Sequence, residues 1–379
     1  MKILADAYIA KAREAFSGLG ELQLYQDQPT RQQLLWAEAL LVRTTTRVDA
    51  ELLAGTPISY VASATSGADH IDREYLVAND ITFYHAGGCN AGAVADYVLS
   101  VLALYSSQTG KALSELSVGV VGCGRVGGRV RQRVEALGCR CLVNDPPLAE
   151  RTARAGFVDL TLLLTQSDLV TLHVPLQDAG RYPTFNLIGD KALALIAPGS
   201  CLINASRGGV VDEESLLQRI RTGPQLKAVL DCWANEPEIS AQVAADVWLG
   251  TPHIAGYSRR GKLQATAMVY EDLCRRAKLR SRWSFDEREL SGRARLTIER
   301  DIRQLILSCY DVRKDNESLR AALAWGQDQG SRFKALRNNY ALRAEFTDLQ
   351  VEVARQDATL WQQIAAAGFR PVAAGLAEQ

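Results

Sequence analysis

The stretch Asn204-Ala205-Ser206-Arg207-Gly208-Gly209-Val210-Val211-Asp212-Glu213 sets an arginine at the end of an apolar run, beside glycines that let a ligand approach the backbone. Arginine stays charged at any working pH and can hold a carboxylate through two parallel hydrogen bonds, although an arginine so placed can also serve a surface ion pair. Two more apolar segments lead into Asp231-Cys232-Trp233-Ala234-Asn235-Glu236-Pro237 and Thr251-Pro252-His253-Ile254-Ala255-Gly256-Tyr257. A carboxylate that orients and charges a histidine is what proton transfer requires, and Glu236 and His253 are of the right types. Their spacing leaves open whether they touch.

A different chemistry is written upstream. Val118-Gly119-Val120-Val121 runs into Gly122-x-Gly124-x-x-Gly127, a helix-like Arg129 to Leu137, a Gly138 stop, and a second apolar run ending at Asp145. Strand, glycine loop, helix, strand and acid follow in the order a dinucleotide site needs. Gly122 permits the tight turn, Gly124 lets the backbone approach a pyrophosphate, and Gly127 lets the helix pack against the strand, while the helix N-terminus offers unpaired N–H groups. Asp145 is positioned to accept hydrogen bonds from the adenosine ribose and would repel a 2′-phosphate, so NAD is expected over NADP.

The elements that carry these residues alternate strand and helix, which predicts parallel sheets and an α/β fold. Lys2 to Ala5, Glu21 to Tyr25, Ala39 to Arg43, Ile58 to Ala62 and Ile81 to Tyr84 read as strands of a first domain ending near residue 95. Arg43 there precedes Thr44, Thr45 and Thr46, a cation and hydroxyl cluster suited to phosphate oxygens, with pairing to a first-domain carboxylate such as Asp69 or Asp72 as the plainer alternative. A long apolar helix from Ala91 to Tyr105 leads into the nucleotide domain, whose strands end at Asp145, His173-Val174-Pro175, Asn204 to Gly208, and Asp231. Ligands of open α/β sheets bind along that edge. A helix from Gly261 to about Ser281 returns to the first domain. Beyond Trp283 lies an added α/β tail, with helices expected over Glu299 to Asp311 and Phe333 to Phe346, a strand over Asp348 to Val353, and a helix capped by Asp357. Its Leu305, Ile306, Leu307, Tyr310, Leu349, Val351, Val353, Trp361 and Ile364 exceed what a small free appendage would expose, and a two-fold interface would bury them.

Composition excludes several other classes. Among 379 residues, 43 basic and 43 acidic side chains balance, so no basic face for nucleic acid is implied. No stretch approaches a membrane span and MKILADAYIA lacks the apolar core of a signal peptide, so a cytoplasmic protein is expected. Eight cysteines include no CxxC pair. Buried reduced thiols, rather than a metal site or disulfides, are the expectation.

Taken together, the motifs resemble those of the NAD-dependent D-2-hydroxyacid dehydrogenases, in that family's order and spacing. A narrower likeness, to a branch that oxidises a phosphorylated four-carbon 2-hydroxy acid in pyridoxine biosynthesis, is carried by Val42-Arg43, Ala64 to His70, Gly88-Cys89-Asn90-Ala91, His253 to Ser258, Gly261-Lys262 and Tyr310-Asp311-Val312-Arg313. The resemblance implies a flavodoxin-like substrate domain over residues 1–95 completed by 257–282, a Rossmann-type NAD domain over 96–256, and a dimerisation domain over 283–379 that would form a homodimer. It implies that Arg207 clamps the substrate carboxylate and C2 oxygen, His253 takes the C2-hydroxyl proton, and Glu236 holds the other ring nitrogen. Gly122, Gly124, Arg125, Val126, Gly127 and Asp145 would hold the adenosine and pyrophosphate with Val174, while Ala205, Ser206, Arg207, Asp231 and Gly256 would line the nicotinamide side. Arg43, Thr44, Thr65 and Tyr257 would meet substrate. Two departures stand out: Gly87 replaces the branch's usual proline, and Arg259-Arg260 add charge after Tyr257-Ser258. Other family members, or a non-catalytic NAD-sensing co-repressor, are the competing readings. The intact Arg207, Glu236 and His253 set argues against the second.

Overall fold

A computed structural model describes residues 1–152, 156–290, 292–297, 301–324, 328–353 and 357–373, with the backbone alone over 292–297. The chain divides into two compact units, Met1–Asn90 with Ser258–Ser291 and Ala91–Tyr257 with Gly292–Gln379.

In the first unit, β1 (Lys2–Asp6), β2 (Glu21–Tyr25), β3 (Ala39–Val42), β4 (Tyr60–Ser63) and β5 (Thr82–His85) form a parallel sheet in the order β2-β1-β3-β4-β5. That is the flavodoxin-like order. Alternation along each strand fills both faces. Ile3, Ala5, Ala39 and Leu41 enter one core with the returning helix Arg259–Arg276, while Leu4, Leu40 and Val42 enter the other.

The second unit holds a six-stranded sheet of β6 (Ser117–Val121), β7 (Arg140–Asn144), β8 (Leu169–Leu172), β9 (Cys201–Asn204), β10 (Lys227–Leu230) and β11 (Leu249–Gly250), ordered β11-β10-β9-β8-β6-β7. Strand order reverses at β6, so the crevice for a ligand opens beyond the carboxyl ends of β6 and β8. The apolar helix Ala91–Thr109 packs on one face, with Val98, Val101 and Leu102 beside Val118, Val120 and Ile203.

The tail belongs to this second unit. A parallel sheet of β12 (Gly292–Thr297), β13 (Leu349–Val353) and β14 (Arg370–Ala373) accompanies helices Ile302–Cys309, Val312–Leu323, Gln329–Asn338 and Ala358–Ala366. Leu305, Ile306, Tyr310, Leu349, Val351, Val353 and Ile364 are buried in the same core as Ala91–Thr109, and Trp361 is one of the exposed large apolar side chains. The apolar surplus that suggested an interface between copies is therefore absorbed within one chain. The helix expected over Phe333 to Phe346 starts earlier and stops at Asn338, after which Phe346–Asp348 forms a short 3-10 turn. Helix Val312–Leu323 covers the edge of the large sheet: Asn316 accepts the Gly250 N–H at 2.9 Å, and Arg320 donates to the carbonyls of Ala245 and Val247.

Candidate active site

The glycine loop has the shape a dinucleotide needs. Gly122 sits at φ +84°, and a Cβ there would press on the His173 carbonyl and Val174. At Gly127 a Cβ would strike the Gly122 carbonyl, whereas Gly124 faces open space. Arg125 and Val126 open helix Arg125–Ala136, whose N-terminal N–H groups follow this space. Asp145 ends the neighbouring strand, its Oδ2 accepting the Cys123 N–H of the loop at 2.7 Å and its Oδ1 the Leu148 N–H at 2.9 Å. The acid is thus fixed beside the glycine loop, with lone pairs left for ribose hydroxyls. These residues fit NAD.

At the ends of β9 and β10 the chain organises around two buried polar groups. Asn204 Nδ2 donates to the Arg207 carbonyl at 2.9 Å and its Oδ1 accepts from Ser206, which folds Ala205, Ser206 and Arg207 into a tight loop. Asp231, 1 % exposed, accepts the Thr251 hydroxyl and the Ile254 N–H on one oxygen and the Ala255 N–H on the other. It therefore fixes the loop that carries His253, Gly256 and Tyr257.

That loop brings the expected pair together. His253, in the left-handed region at φ +56°, places Nδ1 2.7 Å from Glu236 Oε2 and 3.0 Å from Oε1. With Nδ1 engaged, Nε2 is the nitrogen available for proton transfer. Glu236 also accepts the Trp233 N–H at 2.9 Å. Burial works against its charge, but the His253 ring and its hydrogen bond, the Trp233 N–H and Arg337 together hold the carboxyl below its usual range. Arg207 is close by: its Nη1 donates to the Ser206 carbonyl at 2.7 Å, and Cys232 Sγ approaches the same oxygen at 3.3 Å. Cys232 Sγ, Glu236 and His253 present ligand atoms within 4.8 Å of one another. Burial pushes that thiol well up, and the carboxylate is already shared, so the trio belongs to the relay.

Two tail residues at this site escaped the sequence reading, which found no catalytic motif there. Arg343 donates to the carbonyls of Ile254 at 3.2 Å, Tyr257 at 2.9 Å and Ala255. Arg337 lies 3.6 Å from Glu236 Oε2 and 3.5 Å from the Tyr257 hydroxyl. Nothing in their local sequence marks them, because their roles come from where the tail docks.

The first unit's candidates lie on its own strand ends. Arg43 Nε donates to Asp6 at 3.0 Å and its guanidinium stacks over Tyr8, so it does pair with a first-domain carboxylate, Asp6. The nearby Lys262 ammonium is pushed down by burial and by the charge of Arg43. Thr44 is exposed, and the Thr65 hydroxyl donates to the Gly67 carbonyl at 3.0 Å and shares a hydrogen bond with the Ser63 hydroxyl at 2.7 Å. Arg260 pairs with Glu287 at 3.1 Å. The loop with Gly87 is tied down, since the Gly87 and Gly88 N–H groups bond to His85 O and Ser66 Oγ. The remaining histidines have structural settings. His70 meets Ser63, His85 meets the Ser66 carbonyl, and burial pushes His173, bonded to Thr171, down to about 3.

Comparison with known proteins fits this geometry. Residues 101–255 match the family of D-isomer specific 2-hydroxyacid dehydrogenases, NAD binding domain, and residues 284–368 match a domain of unknown function, DUF3410. Erythronate-4-phosphate dehydrogenase of Proteus mirabilis is 39% identical over 361 residues, covering 93% of this chain and 94% of its own. The protein of the same name from Salinibacter ruber is 42% identical, covering 91% and 92%, and that of Klebsiella pneumoniae is 38% identical, covering 98% and 99%. Among solved structures, the TT0316 protein of Thermus thermophilus superposes with a TM-score of 0.62 at 25% identity, covering 74% of this chain and 98% of its own. NAD-bound 3-phosphoglycerate dehydrogenase of Entamoeba histolytica shares the fold with a TM-score of 0.62 at 22% identity, covering 73% and 95%. The chain belongs to the erythronate-4-phosphate dehydrogenase family, a branch of the D-isomer specific 2-hydroxyacid dehydrogenases.

Proposed function

We propose that this protein oxidises 4-phospho-D-erythronate to (R)-3-hydroxy-2-oxo-4-phosphooxybutanoate with NAD, a step of pyridoxine biosynthesis. The observation that carries this reading is the His253 to Glu236 contact at 2.7 Å beside the Arg207 loop, in a chain whose curated relatives bear that name over nearly their full length. Arg207 draws the carboxylate and C2 oxygen into register, and His253 Nε2 removes the C2-hydroxyl proton as the carbonyl forms. Glu236 stabilises the imidazolium that results. Bound NAD supplies the acceptor for the C2 hydride, on the side lined by Ala205, Ser206, Asp231 and Gly256. Nucleic acid has no part in this chemistry, and among the described residues no helix is long and apolar enough to cross a membrane. We assign the protein to the cytoplasm as a homodimer, joined through the tail in keeping with the family resemblance. A panel of 2-hydroxy acids, with NADH formation as readout, tests the function. Turnover concentrated on 3-phosphoglycerate or D-lactate would overturn the substrate, and NAD binding without any turnover would favour the sensing module.

Cofactor choice follows from Asp145. Fixed by two N–H groups beside the glycine loop, it meets a 2′-phosphate with like charge. NAD should be preferred over NADP by at least about tenfold in kcat/KM, roughly one unfavourable charge contact. Asp145→Ser with an arginine introduced nearby should erode that preference, and equal use of both cofactors by the parent chain would sink the assignment.

The substrate phosphate is assigned to the first unit, where Arg43, Thr44 and Thr65 lie on adjacent strand ends. Asp6 satisfies Nε of Arg43, which leaves the terminal nitrogens of the guanidinium for phosphate oxygens. Arg43→Ala should raise KM for phosphoerythronate by about tenfold or more, and affect residual oxidation of unphosphorylated erythronate far less. Equal losses on both substrates would mean that Arg43 serves the fold, through Asp6 and Tyr8.

A further inference from the structure

Helix Gln329–Asn338 of the tail docks through Phe333, which is fully buried in the core that also holds Trp233, and through Leu336 beside it. One turn beyond Phe333, on the same face, comes Arg337. Its Nη1 stands 3.6 Å from Glu236 Oε2, its Nη2 is 3.5 Å from the Tyr257 hydroxyl, and its Nε is buried with no hydrogen-bond partner. A half-buried arginine with loose contacts and an unmet buried donor is costly for stability alone. What the position does provide is a fixed positive charge 3.6 Å from Glu236 Oε2, the same oxygen that His253 Nδ1 meets at 2.7 Å.

We propose that Arg337 is a positioning residue of the dehydrogenase site, supplied by the tail, which holds Glu236 as the charged partner of His253 and sets the Tyr257 ring. This rests on the reading of Glu236 and His253 as the proton relay. Among the described residues, the groups facing Glu236 are His253, Arg337, the Trp233 N–H, the Cys232 thiol and Glu213, with Asp231 behind His253. Glu213, itself pushed up to about 7 by burial, accepts the Ala234 N–H at 2.6 Å and adds negative charge when it ionises. Against those acids, Arg337 is the permanent cation that contacts Glu236. Without it the carboxylate keeps only His253 and the Trp233 N–H, and the pair keeps its proton to higher pH.

The test compares Arg337→Gln, Arg337→Lys and the parent enzyme in pH profiles of phosphoerythronate oxidation. Because oxidation needs the pair unprotonated, Arg337→Gln should shift the acid limb of kcat/KM upward by about half to one pH unit and lower kcat at neutral pH by roughly tenfold. Arg337→Lys keeps the charge, so its limb should stay within about 0.2 units of the parent and its kcat should recover in part. Thermal melting of each variant separates this from loss of fold. Should the Gln variant fail to fold, the Lys variant alone decides, since it loses the fork geometry but not the charge, and a limb moved as far as half a unit by Lys would overturn the proposal. A Gln variant with an unmoved limb and kcat within twofold of the parent would overturn it too. His253→Ala, run in parallel, distinguishes the two levels: if it still turns over, the relay itself is misassigned, whereas an inactive His253→Ala with an unaffected Arg337→Gln removes Arg337 alone.

Discussion

His253→Ala should bind NAD as the parent does and lose about 10²–10⁴-fold in kcat for phosphoerythronate, the range over which a positioned general base accelerates proton transfer. The geometry explains why the loss should be so large. His253 is held in a left-handed conformation by a loop whose N–H groups at Ile254 and Ala255 are both taken by Asp231, and its Nδ1 is fixed by Glu236. Alanine removes the base, and Arg337, which still faces Glu236, is permanently charged and cannot take up a proton in its place. The glycine loop and Asp145 follow β6 and β7 and are untouched by the change, so fluorescence titration with NADH should report parent-like affinity. Glu236→Gln makes a second, signed prediction. The amide can still accept the Nδ1 hydrogen but no longer stabilises the imidazolium, so the pair gives up its proton more readily and the acid limb moves to lower pH while kcat falls. That direction is opposite to the one expected for Arg337→Gln. Near-normal kcat in His253→Ala would refute the assignment of the base.

The parts of the site that were legible in the sequence are those whose chemistry is local in the chain. Gly122, Gly124, Gly127 and Asp145 announce themselves because a strand, a turn and a helix must follow one another at fixed intervals, and the structure puts the expected constraints on the first and third glycines. The parallel sheet of the first unit was likewise implied once alternating strands and helices were seen, while its strand order was not. The Glu236 to His253 contact was suggested by residue type but is made by tertiary structure, through Asp231 and Thr251. The tail was read least well. Helix Val312–Leu323 was missed because buried Val312 and Leu319 are sparse among charged neighbours, and β14 because Arg370–Ala373 is four residues long and contains a proline. Its apolar residues pointed outward to a partner only as long as the surface that receives them, Ala91–Thr109, was assigned to another domain. Arg337 and Arg343 were invisible for the same reason: an arginine on a polar helix looks solvated until the docking of Phe333 decides where it ends up.

Asp96→Ala should destabilise the nucleotide unit by about 3–5 kcal/mol, the usual cost of leaving one member of a buried ion pair without its partner. Asp96 sits on helix Ala91–Thr109 with 0% exposure and forms an ion pair with Arg133 of helix Arg125–Ala136, which is 6% exposed. Its second oxygen accepts the Phe346 N–H of the tail at 3.0 Å, and Gly368 is packed so closely on the Arg133 guanidinium that a Cβ there would reach it at 2.6 Å. One carboxylate therefore ties together helix Ala91–Thr109, the helix that follows the glycine loop, and two segments of the tail. Removing it strands Arg133 and frees the Phe346 N–H. With total stabilities of about 5–15 kcal/mol typical of single domains, such a loss is a large fraction of the whole. Asp96→Asn should cost less, because the amide oxygen can still accept one of the two donors. Replacing both charges, as Asp96→Leu with Arg133→Met, should recover much of the loss, since an apolar pair of similar volume has no charge to desolvate. Denaturant midpoints followed by circular dichroism measure all three, and a cost below about 1 kcal/mol for Asp96→Ala would show that the pair does not hold the tail. Because Arg337 and Arg343 reach the His253 loop from that same tail, Asp96→Ala should also lose oxidation activity at denaturant concentrations where the parent enzyme is still fully active, before the first unit unfolds.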